Sequence, residues 1–271
     1  MTEENTDLKS DQAIPITAPY ALLMEADSGA VLFDKNADEL MHPSSMAKLM
    51  SGELICKAIV DGCLDLDDQF TISENAWLRG GEPSGESTMY AELNSRVKVQ
   101  DLLYGMIVSS GNDASIALAE GVAGSEAEFV ARLNHRARQL GLTKSYFTNA
   151  TGLADDRMRV TARDLAKLTQ HLIRAYPDFF GIYATREFTW NGIRQYNRNP
   201  LLSMGTGADG MKTGFTRLGG YGLVGTALHD GVRVIVVVNG LRSADDRANE
   251  ARKLLDWGRT VTLKTVAYPL G

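Results

Sequence analysis

Pro43-Ser44-Ser45-Met46-Ala47-Lys48 is the stretch whose reading decides both fold and chemistry. Apolar residues at Met46, Leu49, Leu54 and Ile59 have helical spacing, which predicts a helix starting near Ser45, just after Pro43, and running to Gly62. Positions three apart share a helix face, so Ser45 and Lys48 point into the same space. A serine hydroxyl is a poor nucleophile without a base in hydrogen-bond reach. An amine can be that base only if burial or a second cation lowers its pKa. The helix N-terminus adds free backbone N–H groups and positive potential, both useful to an oxyanion.

Two later motifs supply the missing parts. Ser110-Gly111-Asn112 offers a hydroxyl and a carboxamide, and Lys212-Thr213-Gly214 offers a second cation, a hydroxyl and a strand glycine against which a ligand could lie. Each motif alone is weak. Ser95-Arg-Val-Lys98 has the serine–lysine spacing but sits in a polar stretch and reads as a helix N-cap. Ser73-Glu-Asn75 has the serine–asparagine spacing but closes a strand expected over 69–72. Order, spacing and context single out Ser45, Lys48, Ser110, Asn112, Lys212, Thr213 and Gly214.

Around these motifs the pattern is mixed. Residues 20–24 and 30–33 flank Asp27-Ser-Gly29 as a β-hairpin, and the glycine-rich segment 80–85 is a loop. Helices are expected over 99–107, 114–122 and 127–140, and from Thr161, an N-cap, to Ala175 before Pro177. Strands follow at 187–190, 211–216, 221–228 and 232–239, with His229-Asp230-Gly231 as a tight turn, then a helix over 245–257. Strands at both ends with helices between predict an α+β unit, an antiparallel sheet built from both termini and flanked by helices, with an all-helical subdomain over roughly 62–160. Residues 1–18 read as a flexible lead, 19–258 as one catalytic domain and 259–271 as the remnant of a linker. Asp113 reads as a helix N-cap, and His135 and His171 as helix-surface residues. The 80–90 loop reads equally as a connector or as a border of the cleft.

Composition narrows the classes. The chain has 271 residues, 44% of them hydrophobic, enough for one sizeable core. Lysine and arginine number 28 against 34 aspartates and glutamates, a net charge of −6 with no basic tract, which argues against a nucleic-acid partner. No run of 18 apolar residues suggests a membrane span, and the acidic N-terminus lacks the features of a secretory signal. If the first helix reaches Cys63, it stands ~10 Å from Cys56, too far for a disulfide, so both read as buried thiols.

These motifs resemble those of the low-molecular-mass penicillin-binding proteins, serine-type D-alanyl-D-alanine carboxypeptidases of peptidase family S11. The resemblance extends to Ala26-Asp-Ser-Gly29, Asn149-Ala-Thr-Gly-Leu153, Asn197-Arg-Asn199 and Asp209-Gly-Met-Lys-Thr-Gly-Phe-Thr216, and is nearly continuous from Tyr20 to Trp257. It implies a β-lactamase/transpeptidase-like fold and an acyl-enzyme on Ser45, with Lys48 as base. Ser110 would relay a proton to the leaving nitrogen, and Asn112 would hold the substrate amide. Lys212 would shape the electrostatics, Thr213 and Arg198 would bind the terminal carboxylate, and the Ser45 and Phe215 N–H groups would form the oxyanion hole. The implied substrate is a peptidoglycan stem ending in D-Ala-D-Ala, with β-lactams as inhibitors, no metal or cofactor, and export to the periplasm or cell envelope. Membrane association would come only from segments absent from this chain. Phe215 departs from the histidine common in relatives after Lys-Thr-Gly. A D,D-endopeptidase would share every residue named. A class A β-lactamase would add a Glu-x-x-Leu-Asn segment, which Glu126, Glu128 and Glu187 do not supply, and a non-catalytic receptor would not need the full catalytic set.

Overall fold

The structure is a computed structural model and describes residues 14–267, with side chains described as far as 261. Its centre is a five-stranded antiparallel sheet in the order β2 (Val31–Lys35), β1 (Tyr20–Glu25), β9 (Val232–Leu241), β8 (Gly220–His229), β7 (Ala208–Thr216). The N-terminal hairpin and the C-terminal meander become one sheet through pairing of β1 with β9, Leu22 opposite Val237. The β8–β9 turn holds Asp230 and Gly231 at positive φ, 50° and 81°, as a tight hairpin requires.

The run in β9 is greasy on both faces because both faces are covered. Val234, Val236 and Val238 pack with Leu23, Leu223 and the last helix, α8 (Ala244–Ala267), through Ala251, Leu254 and Leu255. Ile235 and Val237 turn the other way and join Leu22, Met24 and Val224 in the larger core beneath the remaining helices. Each fully buried aliphatic side chain contributes about 1.5–3 kcal/mol. Ile16 and Ala18, in the lead expected to be mobile, are buried, and Thr17 N–H donates to Glu250 Oε2 at 2.5 Å. The rest of that lead, residues 1–13, lies outside the described residues. Helix α8 continues to Ala267, ten residues past its expected end, so most of the segment read as linker is helical.

The first helix splits in two: a 3-10 turn over Ser44–Ala47, then α1 (Lys48–Val60). Cys63 lies beyond its end and is exposed, unlike buried Cys56, so only one of the two thiols is in the core. The segment expected to be all-helical carries α2 (Glu74–Gly80), α3 (Val99–Ile107), α4 (Asn112–Ala123) and α5 (Glu126–Gln139). It also holds a short ribbon, β3 (Gln69–Thr71) with β4 (Arg96–Lys98). Ser95 therefore precedes a strand and caps no helix, while Ser73 caps α2 by accepting from Ala76 N–H at 3.0 Å. Beyond it, α6 (Ala162–Ala175) is capped by Thr161, and Pro177 opens a further helix, α7 (Pro177–Ala184). Proline fits there because a first-turn N–H has no intrahelical partner. A hairpin of β5 (Glu187–Trp190) and β6 (Ile193–Tyr196) follows.

Glu53 ties this layer together. Fully buried on α1, its Oε1 accepts from Arg136 of α5 at 2.8 Å, from Tyr176 Oη at 3.0 Å, and lies 3.1 Å from His171 Nε2 of α6. His171 is thus a packing residue and not a free surface histidine. Removing one partner of a buried ion pair typically costs 3–5 kcal/mol. Glu53→Ala should lower the urea unfolding free energy by about 3 kcal/mol. Lys57→Ala, which removes an exposed ion pair with Asp61, should cost under about 1 kcal/mol.

Candidate active site

The 3-10 turn carrying Ser45 is wedged between two glycines. A Cβ on Gly152 would fall 2.0 Å from Ser44 O, and one on Gly214 would fall 2.9 Å from Pro43 O and 3.1 Å from Ser45 N. Gly214 is thus where β7 closes on the serine turn, as well as a lining residue of the cleft. Ser44 Oγ and Thr216 Oγ1, 2.9 Å apart, and the Asn239 Nδ2 bond to His42 O fix the turn on the sheet. Ser44 and Ser110 sit at positive φ, 50° and 63°. Such backbone costs on the order of 1–3 kcal/mol per residue and persists only where surroundings over-determine it.

Lys48, one turn after Ser45, is wholly buried. Its Nζ lies 3.1 Å from Ser45 Oγ and donates to Asn112 Oδ1 and Thr151 O, each at 2.7 Å. Burial first, and then the Arg198 cation, lower its pKa from 10.5 to about 7. As a neutral amine its two N–H bonds are taken by the two carbonyl oxygens, leaving the lone pair for the Ser45 hydroxyl. The second lysine repeats the pattern. Lys212 is 2% exposed, its Nζ donates to Ser110 Oγ at 2.9 Å, and burial followed by the Lys48 charge depresses its pKa well below the usual lysine value. The depressing cation on Lys48 is therefore Arg198, whereas the coupling between the lysines falls on Lys212.

The seven residues singled out by the motifs come together with the two that the resemblance added, Arg198 and Phe215. Ser45, Ser110, Arg198, Thr213, Gly214 and Phe215 line a cleft of about 500 Å³, with Lys48, Asn112 and Lys212 buried against its floor. Arg198 is aimed by its neighbours: Asn197 Nδ2 donates to Thr185 O at 2.8 Å and Asn199 Nδ2 to Gly210 O at 2.8 Å. Half of the Phe215 surface is exposed, and its ring stacks on Tyr221 with centroids 4.1 Å apart.

Several contributors escaped the sequence reading. Thr151 acts through a main-chain oxygen, held by a turn in which Asn149 Oδ1 accepts from the N–H groups of Thr151 and Gly152. Arg247 of α8 lines the cleft at 8% exposure, its Cζ 5.6 Å from the Tyr221 ring centroid and its buried Nε without a partner among the described residues. Its guanidinium therefore adds a second arginine cation to the cleft wall. Asp113, expected as an N-cap, lies inside α4, where Gly111 takes the cap position. Its carboxylate accepts from Thr88 Oγ1 at 2.6 Å, Met89 N–H at 3.0 Å and Ala91 N–H at 3.1 Å. The 80–90 loop is thereby clamped to the Ser110 segment and contributes Gly85, Glu86 and Ser87 to the cleft. Among the described residues no group of His, Cys, Asp and Glu side chains is gathered as a metal site requires. No described helix is long and apolar enough to cross a membrane.

The family model for D-alanyl-D-alanine carboxypeptidases, peptidase S11, matches residues 7–243. The chain is 41% identical over 249 residues to the D-alanyl-D-alanine carboxypeptidase DacC of Escherichia coli, covering 91% of this chain and 62% of that protein. It is 42% identical over 245 residues to DacA of Haemophilus influenzae, covering 90% and 62%. It thus spans about six-tenths of the length of these relatives. Penicillin-binding protein 5 of H. influenzae superposes with a TM-score of 0.89 at 40% identity, over 92% of this chain and 72% of that one. Ampicillin-bound penicillin-binding protein D2 of Listeria monocytogenes superposes with a TM-score of 0.79 at 29% identity, over 92% and 99%. The chain belongs to the D-alanyl-D-alanine carboxypeptidase family, and its fold is the penicillin-binding, transpeptidase-like one.

Gly214→Ala tests the closure of β7 on the serine turn. The new methyl crowds the Ser45 N–H, which the resemblance implies as an oxyanion donor, and misplacing one such donor costs up to about 10²-fold. Acylation of Ser45 by benzylpenicillin should slow at least about tenfold while the melting temperature moves by only a few degrees.

Proposed function

We propose that this chain is the catalytic unit of a serine D,D-carboxypeptidase that removes the terminal D-alanine from peptidoglycan stem peptides and is acylated by β-lactams. The observation that carries this reading is the neutral-capable Lys48 amine, buried 3.1 Å from the Ser45 hydroxyl with its N–H bonds already engaged. Membership of the family supports the substrate class.

Ser45 Oγ attacks the carbonyl carbon of the penultimate D-alanine as its proton passes to Lys48 Nζ. The oxyanion that forms is met by the N–H groups of Ser45 and Phe215. Collapse breaks the C–N bond, and the departing amine takes a proton from Ser110 Oγ, which Lys212 holds; the proton that Lys48 took from Ser45 replaces it, so Lys48 is neutral again. The substrate is an anion, and Thr213, Arg198 and Arg247 converge where its terminal carboxylate would lie, while Asn112 holds the amide on the acyl side. Water then attacks the Ser45 ester, Lys48 again takes the proton, and the shortened peptide leaves. Such a substrate places the working enzyme outside the cytoplasmic membrane, in the cell envelope.

Intact mass spectrometry with benzylpenicillin is the direct test. A long-lived adduct, absent in Ser45→Ala, is expected. Rapid drug consumption without an adduct would mark a β-lactamase, and an intact drug without an adduct would leave only a binding role.

The base must be neutral to act. Acylation should therefore rise with pH through a midpoint near 7 and level off above it. Arg198→Ala removes the cation that depresses Lys48, so the midpoint should move to higher pH. Arg247→Ala should raise KM for a D-Ala-D-Ala peptide about tenfold or more, the scale of a lost charge-assisted hydrogen bond.

A further inference from the structure

Among the described residues, Glu86 is the only acidic side chain lining the cleft, whose other charged lining residues are Arg198 and Arg247. The two lysines beneath them add to the positive field. An acid in that company would be expected to pair with one of the cations, yet no described ion pair engages Glu86 and its side chain is exposed. Its backbone, by contrast, is fixed. Ser84 Oγ accepts from Glu86 N–H at 3.1 Å and donates to Gly81 O at 2.6 Å. Gly85 makes the turn at φ +67°, and Ser87 O accepts from Asn112 N–H at 2.7 Å. Through Asp113 the following residues are clamped to α4. The carboxylate is therefore carried on a fixed stretch of backbone beside Asn112.

The cleft lining carries both signs of charge. Arg198, Arg247 and Thr213 suit a carboxylate leaving group. Ser87 is joined to Asn112 by a backbone bond, and an acyl part whose amide Asn112 holds runs past that wall. A carboxylate standing free on that wall complements a cation on the acyl part.

Building on the carboxypeptidase reading, we propose that Glu86 is a specificity-determining residue that recognises a primary ammonium on the acyl side of the scissile bond. The preferred substrate is a stem peptide whose residue before D-Ala-D-Ala carries a free side-chain amine. The pairing is solvent-accessible, so its strength is that of a rim ion pair and it is screened by salt.

The test uses two peptides ending in Lys-D-Ala-D-Ala, one with a free lysine amine and one N-acetylated there, and reads kcat/KM for D-alanine release. The wild-type protein should prefer the free amine by about three- to fivefold at low ionic strength, shrinking towards one in 0.5–1 M salt, on the order expected for an exposed pair. Glu86→Gln should abolish the preference and Glu86→Lys should reverse it, whatever either does to the absolute rate. Equal use of both peptides by the wild type, or a preference that survives Glu86→Gln, overturns the assignment. So does a Glu86→Gln variant that moves the pH midpoint of acylation but keeps the preference, because Glu86 would then act only through Lys48. These outcomes leave the carboxypeptidase reading intact. If the wild type releases no D-alanine from either peptide and forms no penicillin adduct, both fall.

Discussion

A lysine amine sealed from solvent beside a serine hydroxyl is the constraint on which the rest of this molecule depends. Lys48 cannot be buried as an ordinary ammonium, since desolvating a charge is expensive and the group sheds its proton instead. A pKa held near 7 against an ordinary value of 10.5 costs the fold several kcal/mol at neutral pH, at about 1.4 kcal/mol per unit. Between those values the unfolded chain binds a proton that the folded chain does not, so this penalty fades as pH rises and is complete below the folded value. Two carbonyl oxygens from distant parts of the chain, Asn112 Oδ1 and Thr151 O, hold the amine in place. A sheet buried on both faces is what makes that affordable.

Positive charge is concentrated against the trend of the whole chain. The protein carries a net −6, yet Lys48, Lys212, Arg198 and Arg247 meet around one cleft. Mutual repulsion and desolvation act on all of them, and the lysines yield first because ammonium groups lose protons more readily than guanidinium groups. Division of labour follows from that difference. In the proposed mechanism the lysines serve Ser45 and Ser110 in proton transfer, whereas the arginines remain cations able to meet a carboxylate.

Much of this was legible in the sequence because the chemistry sits in short local patterns. Ser45–Lys48 is fixed by helix periodicity, and the β8–β9 hairpin by Asp230-Gly231. Strand β9 was legible from its β-branched run, though only its neighbours reveal that both faces are covered. What stayed hidden is long-range. Thr151 contributes a backbone oxygen, which no side-chain pattern announces. Arg247 lies in a helix that looks like any amphipathic surface helix until α8 is laid across the sheet. Asp113 was misread because an acid at a helix start usually caps it, whereas here the partners are the Thr88 hydroxyl and the Met89 and Ala91 N–H groups, 22–25 residues earlier. Gly214 was assigned to ligand approach, and its hydrogen also makes room for the main chain at Ser45. Cys63 was misplaced because α1 ends at Val60, three residues before it.

The same dispersion determines when the site can exist. Its parts come from residues 45–48, 110–112, 151, 198, 212–215 and 247, so no supersecondary unit contains a working half. The serine turn meets β7 only after the C-terminal meander has formed, and the meander joins the N-terminal hairpin only through β1–β9 pairing, across more than 200 residues. Closing so long a loop costs conformational entropy before any contact offsets it. The strained backbone at Ser44 and Ser110 and the desolvation of Lys48 add to that deficit, so hydrophobic burial on both sides of the sheet must precede or accompany assembly of the catalytic floor. The apolar core that looks incidental to catalysis is therefore its precondition, and the burial that stabilises the fold also turns Lys48 from a cation into a base.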